Sequence, residues 1–316
     1  MIEDRSPEAR SSLHQGTGSR TIHLAEPHPT GQVIIDCTRL SPAGRRIPKL
    51  TLHAGNDTEL KFAGSIVKGR GDTRCRFLIR ELDLGAVTTR IQVECAADCA
   101  WRLRVLPLSA ARVLDTWATG TGSDVLVYDG PPAVLKLRQT KGRGTRVAVY
   151  AIRANRLQAL LSTWAPRLVS GGHVIALPPK PSTVPGEAAG VPPEPVSPKP
   201  TLLKVAGYGC GWELSVSTPN ELRSFSREIS GKGREVVRYI GPPGTLRIDN
   251  RSWRPGHDLY VESFAEDLSH KVDILHLHPR GGSLSRFRSQ RLDLLPGMLV
   301  AIGTVYSDPW RIRADN

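Results

Sequence analysis

Aromatic residues are scarce in this 316-residue chain, at 5% for Phe, Trp and Tyr together. A core must therefore be built chiefly from aliphatic side chains, and broad surfaces of stacked rings are excluded. Cysteine is scarcer still. Cys37, Cys75, Cys95, Cys99 and Cys210 form an odd, thinly spread set that does not make a disulfide framework. Cys95 and Cys99 are spaced to meet across a hairpin tip, but free buried thiols are the simpler reading, and no further donors stand nearby to complete a zinc site. No apolar run reaches the roughly 18 residues of a membrane helix. The first residues, Met1 to Pro7, lack the cationic start and apolar stretch of a secretory signal, so a cytoplasmic protein is expected.

What the chain does have is Gly (30) and Pro (25), punctuating short runs with a strand-like alternation. Its length suits two or three domains, and sandwiches of about 100 residues favour three. The fold class expected is all-β: tandem antiparallel sandwich modules, jelly-roll or Ig-like.

A repeat organises the sequence. Cys99-Ala100-Trp101-Arg102-Leu103-Arg104-Val105 returns 111 residues later as Cys210-Gly211-Trp212-Glu213-Leu214-Ser215-Val216, and Pro309-Trp310-Arg311-Ile312-Arg313 is a third copy. With no gap in register, Gly120-x-Gly122, Tyr128 and Gly130-Pro131-Pro132 align with Gly231-x-Gly233, Tyr239 and Gly241-Pro242-Pro243. A period this long points to duplicated domains, because solenoid units are much shorter. Trp101, Trp212 and Trp310 alternate with Leu, Val and Ile and are assigned to the structural core.

Residues 178–200 hold nine prolines, a composition typical of an extended linker. The repeat argues instead for an insertion within the second module. The division expected is a disordered tail over 1–18, then modules over 19–107, 108–218 and 219–316; the alternative is two domains split by linker 178–200.

The pattern Gly-x-Gly-x-(Asp/Glu)-Val, a strand ending Tyr-x-Gly, then Leu-Pro and a hairpin closing on Trp-x-(Leu/Ile) resembles small β-sandwich modules of actinobacterial proteins. Some of those are secreted and some are fused to TerD-type stress and tellurium-resistance domains. The resemblance spans residues 90–316 and is poorer in the first module; no TerD domain is present. It implies a non-enzymatic binding or scaffolding protein and supplies no site residues.

Candidate chemistry is sparse. The Gly-x-Gly pairs precede no helix and lack the rest of a phosphate loop. Asp124, with Ser123 and Asp129, offers too few oxygens for calcium. His276 and His278, with His270 or Asp273 near, make at most half a metal site. No nucleophile motif such as Gly-x-Ser-x-Gly occurs. No catalytic, cofactor or metal residues are assigned, and the protein is read as not an enzyme.

Charge is the more specific signal. Net charge is +13, and residues 31–170 carry 22 Lys and Arg against 11 Asp and Glu. Lys136, Arg138, Lys141, Arg143 and Arg146 fall in a stretch without an acid, and Lys68, Arg70, Arg74, Arg76 and Arg80 form a second set. Such faces suit a polyanion, nucleic acid or an anionic surface, held through its charges and sensitive to salt. Trp117, Trp164 and Trp253 lie outside the repeat and are the candidates for a carbohydrate platform. The expected function is binding or scaffolding with protein partners, with polyanion binding and carbohydrate binding as alternatives.

Overall fold

The computed structural model describes residues 12–29, 33–40, 50–56, 60–66, 74–79, 87–141, 147–153, 156–163, 169–175, 200–207, 210–249, 259–268, 271–277, 292–304 and 309–315. They form six sheets, two to a sandwich. The first sandwich contains β1 (Ser12–Thr17), β2 (Arg20–Pro29), β3 (Val33–Arg39), β4 (Leu50–Gly55), β5 (Leu60–Ile66), β6 (Arg74–Ile79), β7 (Val87–Glu94) and β8 (Ala100–Pro107). Its sheets run β1-β8-β3-β6 and β2-β7-β4-β5. Eight antiparallel strands in that order are a jelly roll, with first and last strands paired at the sheet edge.

The same order recurs. The second sandwich has β9 (Arg112–Val113), β10 (Trp117–Thr121), β11 (Asp124–Tyr128), β12 (Ala133–Lys141), β13 (Val147–Arg153), β14 (Arg156–Thr163), β15 (Val169–Ile175), β16 (Thr201–Gly207) and β17 (Gly211–Ser217). Its sheets are β10-β17-β12-β15 and β14-β13-β16-β11-β9. The third has β18 (Ser224–Phe225), β19 (Glu228–Lys232), β20 (Glu235–Tyr239), β21 (Gly244–Asp249), β22 (Leu259–Phe264), β23 (Lys271–Leu277), β24 (Leu292–Leu294), β25 (Leu299–Thr304) and β26 (Pro309–Asp315). Its sheets are β19-β26-β21-β24 and β18-β20-β25-β22-β23. No helix among the described residues is long and apolar enough to cross a membrane.

The tryptophans explain why each sandwich closes. Trp101, Trp212 and Trp310 are buried on the last strand of their sandwiches. Each lies opposite a glycine of the edge strand beside it, on β1, β10 and β19: Gly16, Gly120 and Gly231 respectively. The indole lies where a side chain on that glycine would be, with a hypothetical Cβ 2.6, 2.4 or 2.3 Å from the ring. Two residues on, Gly18, Gly122 and Gly233 turn the chain with positive φ, a conformation that costs glycine little. Their carbonyls accept the indole N–H at 2.9, 2.8 and 2.9 Å. Without that acceptor the buried donor would cost about 1–3 kcal/mol. A second repeated bond trims the strand ends, since Tyr128 and Tyr239 donate their hydroxyls to the carbonyls of Pro131 and Pro242 at 2.5 Å.

The expected tail over 1–18 is therefore corrected over 12–18, while residues 1–11 lie outside the described residues. Residues 12–17 are a strand of the first sandwich, and Gly16-Thr17-Gly18 is a third Gly-x-Gly. Its one aliphatic residue, Leu13, points outward at 50% exposed, while Ser12, His14 and Gly16 take the inner side. The indole fills the space that an apolar strand would otherwise fill. Residues 178–199 lie outside the described residues. The strands before and after them share sheets: β12 carries β15 on one side and β17 on the other, while β16 sits between β11 and β13.

Sandwiches meet through apolar residues on outward sheet faces. Ile34, flanked in the ladder by Leu106 and Leu78, packs with Val125, Ile152 and Leu202 of the second sandwich. Val134, at the position equivalent to Ile34, packs with Val236, Leu299, Ala301 and Phe264 of the third. Val125 and Val236 are themselves 111 residues apart, so the two junctions use equivalent positions. Polar clamps accompany them. Backbone N–H of Arg76 donates to the Ser123 carbonyl at 2.9 Å, and Nη1 of Arg234 to the Leu160 carbonyl at 3.4 Å. Burial lowers the pKa of Arg234 below the ordinary guanidinium value, opposed by Glu262 at 3.7 Å.

Two outcomes are expected. Gly120→Ala forces the ring of Trp212 to move and destabilises the second sandwich by about 1–3 kcal/mol, read by urea denaturation. Val236→Asp buries an uncompensated carboxylate in the second junction, costing about 3 kcal/mol or more; small-angle scattering should then show a larger radius of gyration with the same strand content by circular dichroism.

Candidate functional site

In an antiparallel sheet alternate side chains leave opposite faces. Trp101, Leu103 and Val105 point into the first sandwich, so Arg102 and Arg104 point out. On the β1-β8-β3-β6 sheet these arginines are opposite Thr38 and Asp36 of β3, which in turn are opposite Arg74 and Arg76 of β6. Four guanidinium groups thus share one outward face, together with a single described acid, Asp36, which is only 4% exposed.

Arg74 and Arg76, two of the candidate polyanion-binding residues, both turn toward Asp36. Arg74 grips it with two bonds, Nε to Oδ1 at 2.7 Å and Nη2 to Oδ2. That hydrogen bond raises the Arg74 pKa further. Nε of Arg76 lies 3.9 Å from the same carboxylate, while Nη1 donates to the Ala110 carbonyl at 3.3 Å in the first junction. Arg76 is thus largely structural. Arg74 keeps an exposed side chain. Arg102 and Arg104 make no ion pair among the described residues, and Nε of Arg102 is buried without a hydrogen-bond partner.

Of the other basic set, the structure describes Lys136, Arg138 and the Lys141 backbone. Arg138 is exposed on β12 with Nη1 4.0 Å from Oε2 of Glu213, Lys136 is half-buried beside it, and the Lys141 backbone pairs with Gly211. Lys68, Arg70, Arg80, Arg143 and Arg146 lie outside the described residues, as do Trp164, Trp253, His270 and His278. Trp117 is on the surface at 64% exposed, the first residue of β10 and opposite Ser215.

Asp124 is engaged in a local clasp within the second sandwich. Its Oδ2 takes Nη1 of Arg112 at 2.7 Å, and the same nitrogen reaches the Thr119 carbonyl at 3.1 Å. The repeat reproduces this clasp as Arg223 with Glu235 at 3.0 and 3.1 Å and with the Ser230 carbonyl at 3.1 Å. Among the described residues no group of three His, Cys, Asp or Glu side chains could hold a metal ion.

None of the five cysteines forms a disulfide. Cys37, Cys75, Cys99 and Cys210 are buried, and burial, with the neighbouring Cys75 and Asp36, raises the Cys37 thiol far out of the nucleophilic range. Half-buried Cys95 is pushed up to about 12, first by burial and then by Cys99 and Asp98. These are poor nucleophiles at neutral pH.

Sequence reasoning missed Arg102 and Arg104. They stand in plain view in Trp101-Arg102-Leu103-Arg104-Val105, where the alternation that buries Trp101 also exposes both arginines.

No protein-family model matches the chain. No curated protein matches it. A solved structure described as "The Triple Jelly Roll Fold and Turret Assembly in an Archaeal Virus" is similar over 96% of this chain and 88% of its own, at 9% identity with a TM-score of 0.23. At that score the jelly-roll assignment rests on strand order alone.

Alkylation checks the thiol chemistry. In the native protein at pH 8, iodoacetamide should modify Cys95 first and about tenfold or more slowly than a free thiol, with the other four reacting only on unfolding.

Proposed function

We propose that the protein is a non-enzymatic scaffold, a stack of three jelly rolls that serves as an assembly component for protein partners. The observation that carries this reading is the reuse of one docking geometry. A row on the tryptophan-bearing sheet of one sandwich packs on the opposite sheet of the next, first at Ile34 and Val125 and again at Val134 and Val236. Burying apolar residues at both junctions sets the spacing between sandwiches, which is what a spacer or platform requires. Two of the groups that suggested chemistry in the sequence are engaged in structure: Asp124 in a clasp, and the tryptophans of the repeat in cores.

The two outer faces of the stack are polar at the equivalent positions. On the first sandwich the row is Thr21, Gln92 and His53; on the third it is Asp315, Thr245 and Asp293. Neither offers the apolar contact that joins the sandwiches internally. A partner would therefore meet the sides of the stack, where exposed Trp117 is the strongest anchor, since tryptophan is enriched at the energetic centres of protein interfaces.

Affinity purification of the full chain from native lysate, followed by mass spectrometry and light scattering, tests the reading. A stoichiometric protein partner is expected, lost or weakened about tenfold or more by Trp117→Ala. A strictly monomeric chain with no stoichiometric partner overturns it.

A further inference from the structure

The three sandwiches are internal controls for one another, and one comparison isolates a site. In the third sandwich Arg311 and Arg313 follow Trp310 as Arg102 and Arg104 follow Trp101. Both are neutralised by Glu228 on the neighbouring strand, Arg311 Nη2 at 2.5 Å and Arg313 Nε at 2.8 Å. Glu228 stands three residues before Gly231, the glycine opposite its tryptophan, and is paired with Arg313 in the ladder. The same place in the first sandwich, three residues before Gly16 and paired with Arg104, is Leu13. One face carries two arginines with their counter-ion; the equivalent face carries two arginines without it.

We propose that this open face of the first jelly roll, formed by Arg102, Arg104 and the exposed side of Arg74, binds the phosphodiester backbone of a nucleic acid. Arg102 and Arg104 stand two residues apart on one strand, about 7 Å along it, and Arg74 is two strands away from Arg102 across Thr38. Guanidinium forks suit phosphate oxygens, which accept two parallel N–H bonds. The only described acid on the face, Asp36, is buried and already held by Arg74. Asp124 across the junction acts on Arg74 only at a distance, its carboxylate being taken by Arg112.

The face also favours nucleic acid over an acidic protein. A protein interface draws its energy from aromatic or aliphatic anchors in desolvated pockets, and on this part of the sheet the exposed large hydrophobic residues described are two separate leucines, Leu13 on β1 and Leu40 just past β3. A phosphate backbone needs only charge and donors. No aromatic residue is described on the face, so bases do not stack there and binding is indifferent to sequence and sensitive to salt.

The test uses the full chain and fluorescence anisotropy with a mixed-sequence single-stranded 20-mer, as DNA and as RNA, beside labelled poly-glutamate. Three variants are compared: Leu13→Glu, which supplies the missing counter-ion; Arg102→Gln with Arg104→Gln; and Arg311→Gln with Arg313→Gln, the neutralised pair. Thermal melts verify that each is folded. Binding of either oligonucleotide, falling as salt rises, is expected, with a preference between DNA and RNA identifying the source. The first two variants should weaken it about tenfold or more and the third less than about twofold. Unchanged affinity in Leu13→Glu, loss equal to it in the Arg311/Arg313 variant, salt-independent binding, or poly-glutamate bound as tightly as the oligonucleotides overturns the proposal.

Discussion

The indole N–H of each repeated tryptophan, donated to the carbonyl of a left-handed glycine, is the bond on which the architecture depends. It joins the last strand of a sandwich to the turn leaving the edge strand beside it, across 83, 90 and 77 residues of chain in the three copies. A contact between residues so far apart in sequence costs substantial loop-closure entropy. The payment comes from burying a whole indole against a glycine that has no side chain to resist it, with the donor satisfied in the same step. The clasps of Arg112 with Asp124 and Arg223 with Glu235, and the Tyr128 and Tyr239 hydroxyls, secure the neighbouring turns around that closure.

Much of this frame was legible in the chain. Trp101, Trp212 and Trp310, the second and third Gly-x-Gly turns and the Tyr-x-Gly-Pro-Pro strand end appear in register, and alternation around them separates inward from outward positions. The first Gly-x-Gly, at 16–18, was not read because β1 has little apolar content: its inner side is Ser12, His14 and Gly16, and the bulk it lacks is supplied by Trp101. Strand pattern alone cannot register a side chain contributed from elsewhere. The jelly-roll order, too, is set by which edges pair, and local patterning does not encode that directly.

The charged face was legible only in part, for a related reason. Counting basic residues along the sequence singles out Arg74 and Arg76, because they cluster, and passes over Arg102 and Arg104, because they sit between apolar residues. In the folded sheet all four share one surface, and partners divide them: Asp36 takes Arg74 and approaches Arg76, the junction takes Arg76 further, and nothing described takes Arg102 or Arg104. The junction residues Ile34, Val125, Val134 and Val236 were hidden similarly. They are apolar on outward faces, where a strand in an isolated sandwich would be polar, and their meaning emerges only when another sheet covers them.

Because the first and second sandwiches each offer their tryptophan sheet to the opposite sheet of the next, the contact is head-to-tail and does not close on itself. Repeated between separate molecules, a contact of this kind propagates into open fibres. The Asp315, Thr245 and Asp293 row blocks that route, since stacking a further sandwich there would bury two carboxylates where the first junction buries aliphatic side chains. A third contact of the same kind on that sheet therefore carries a desolvation cost that neither internal junction has.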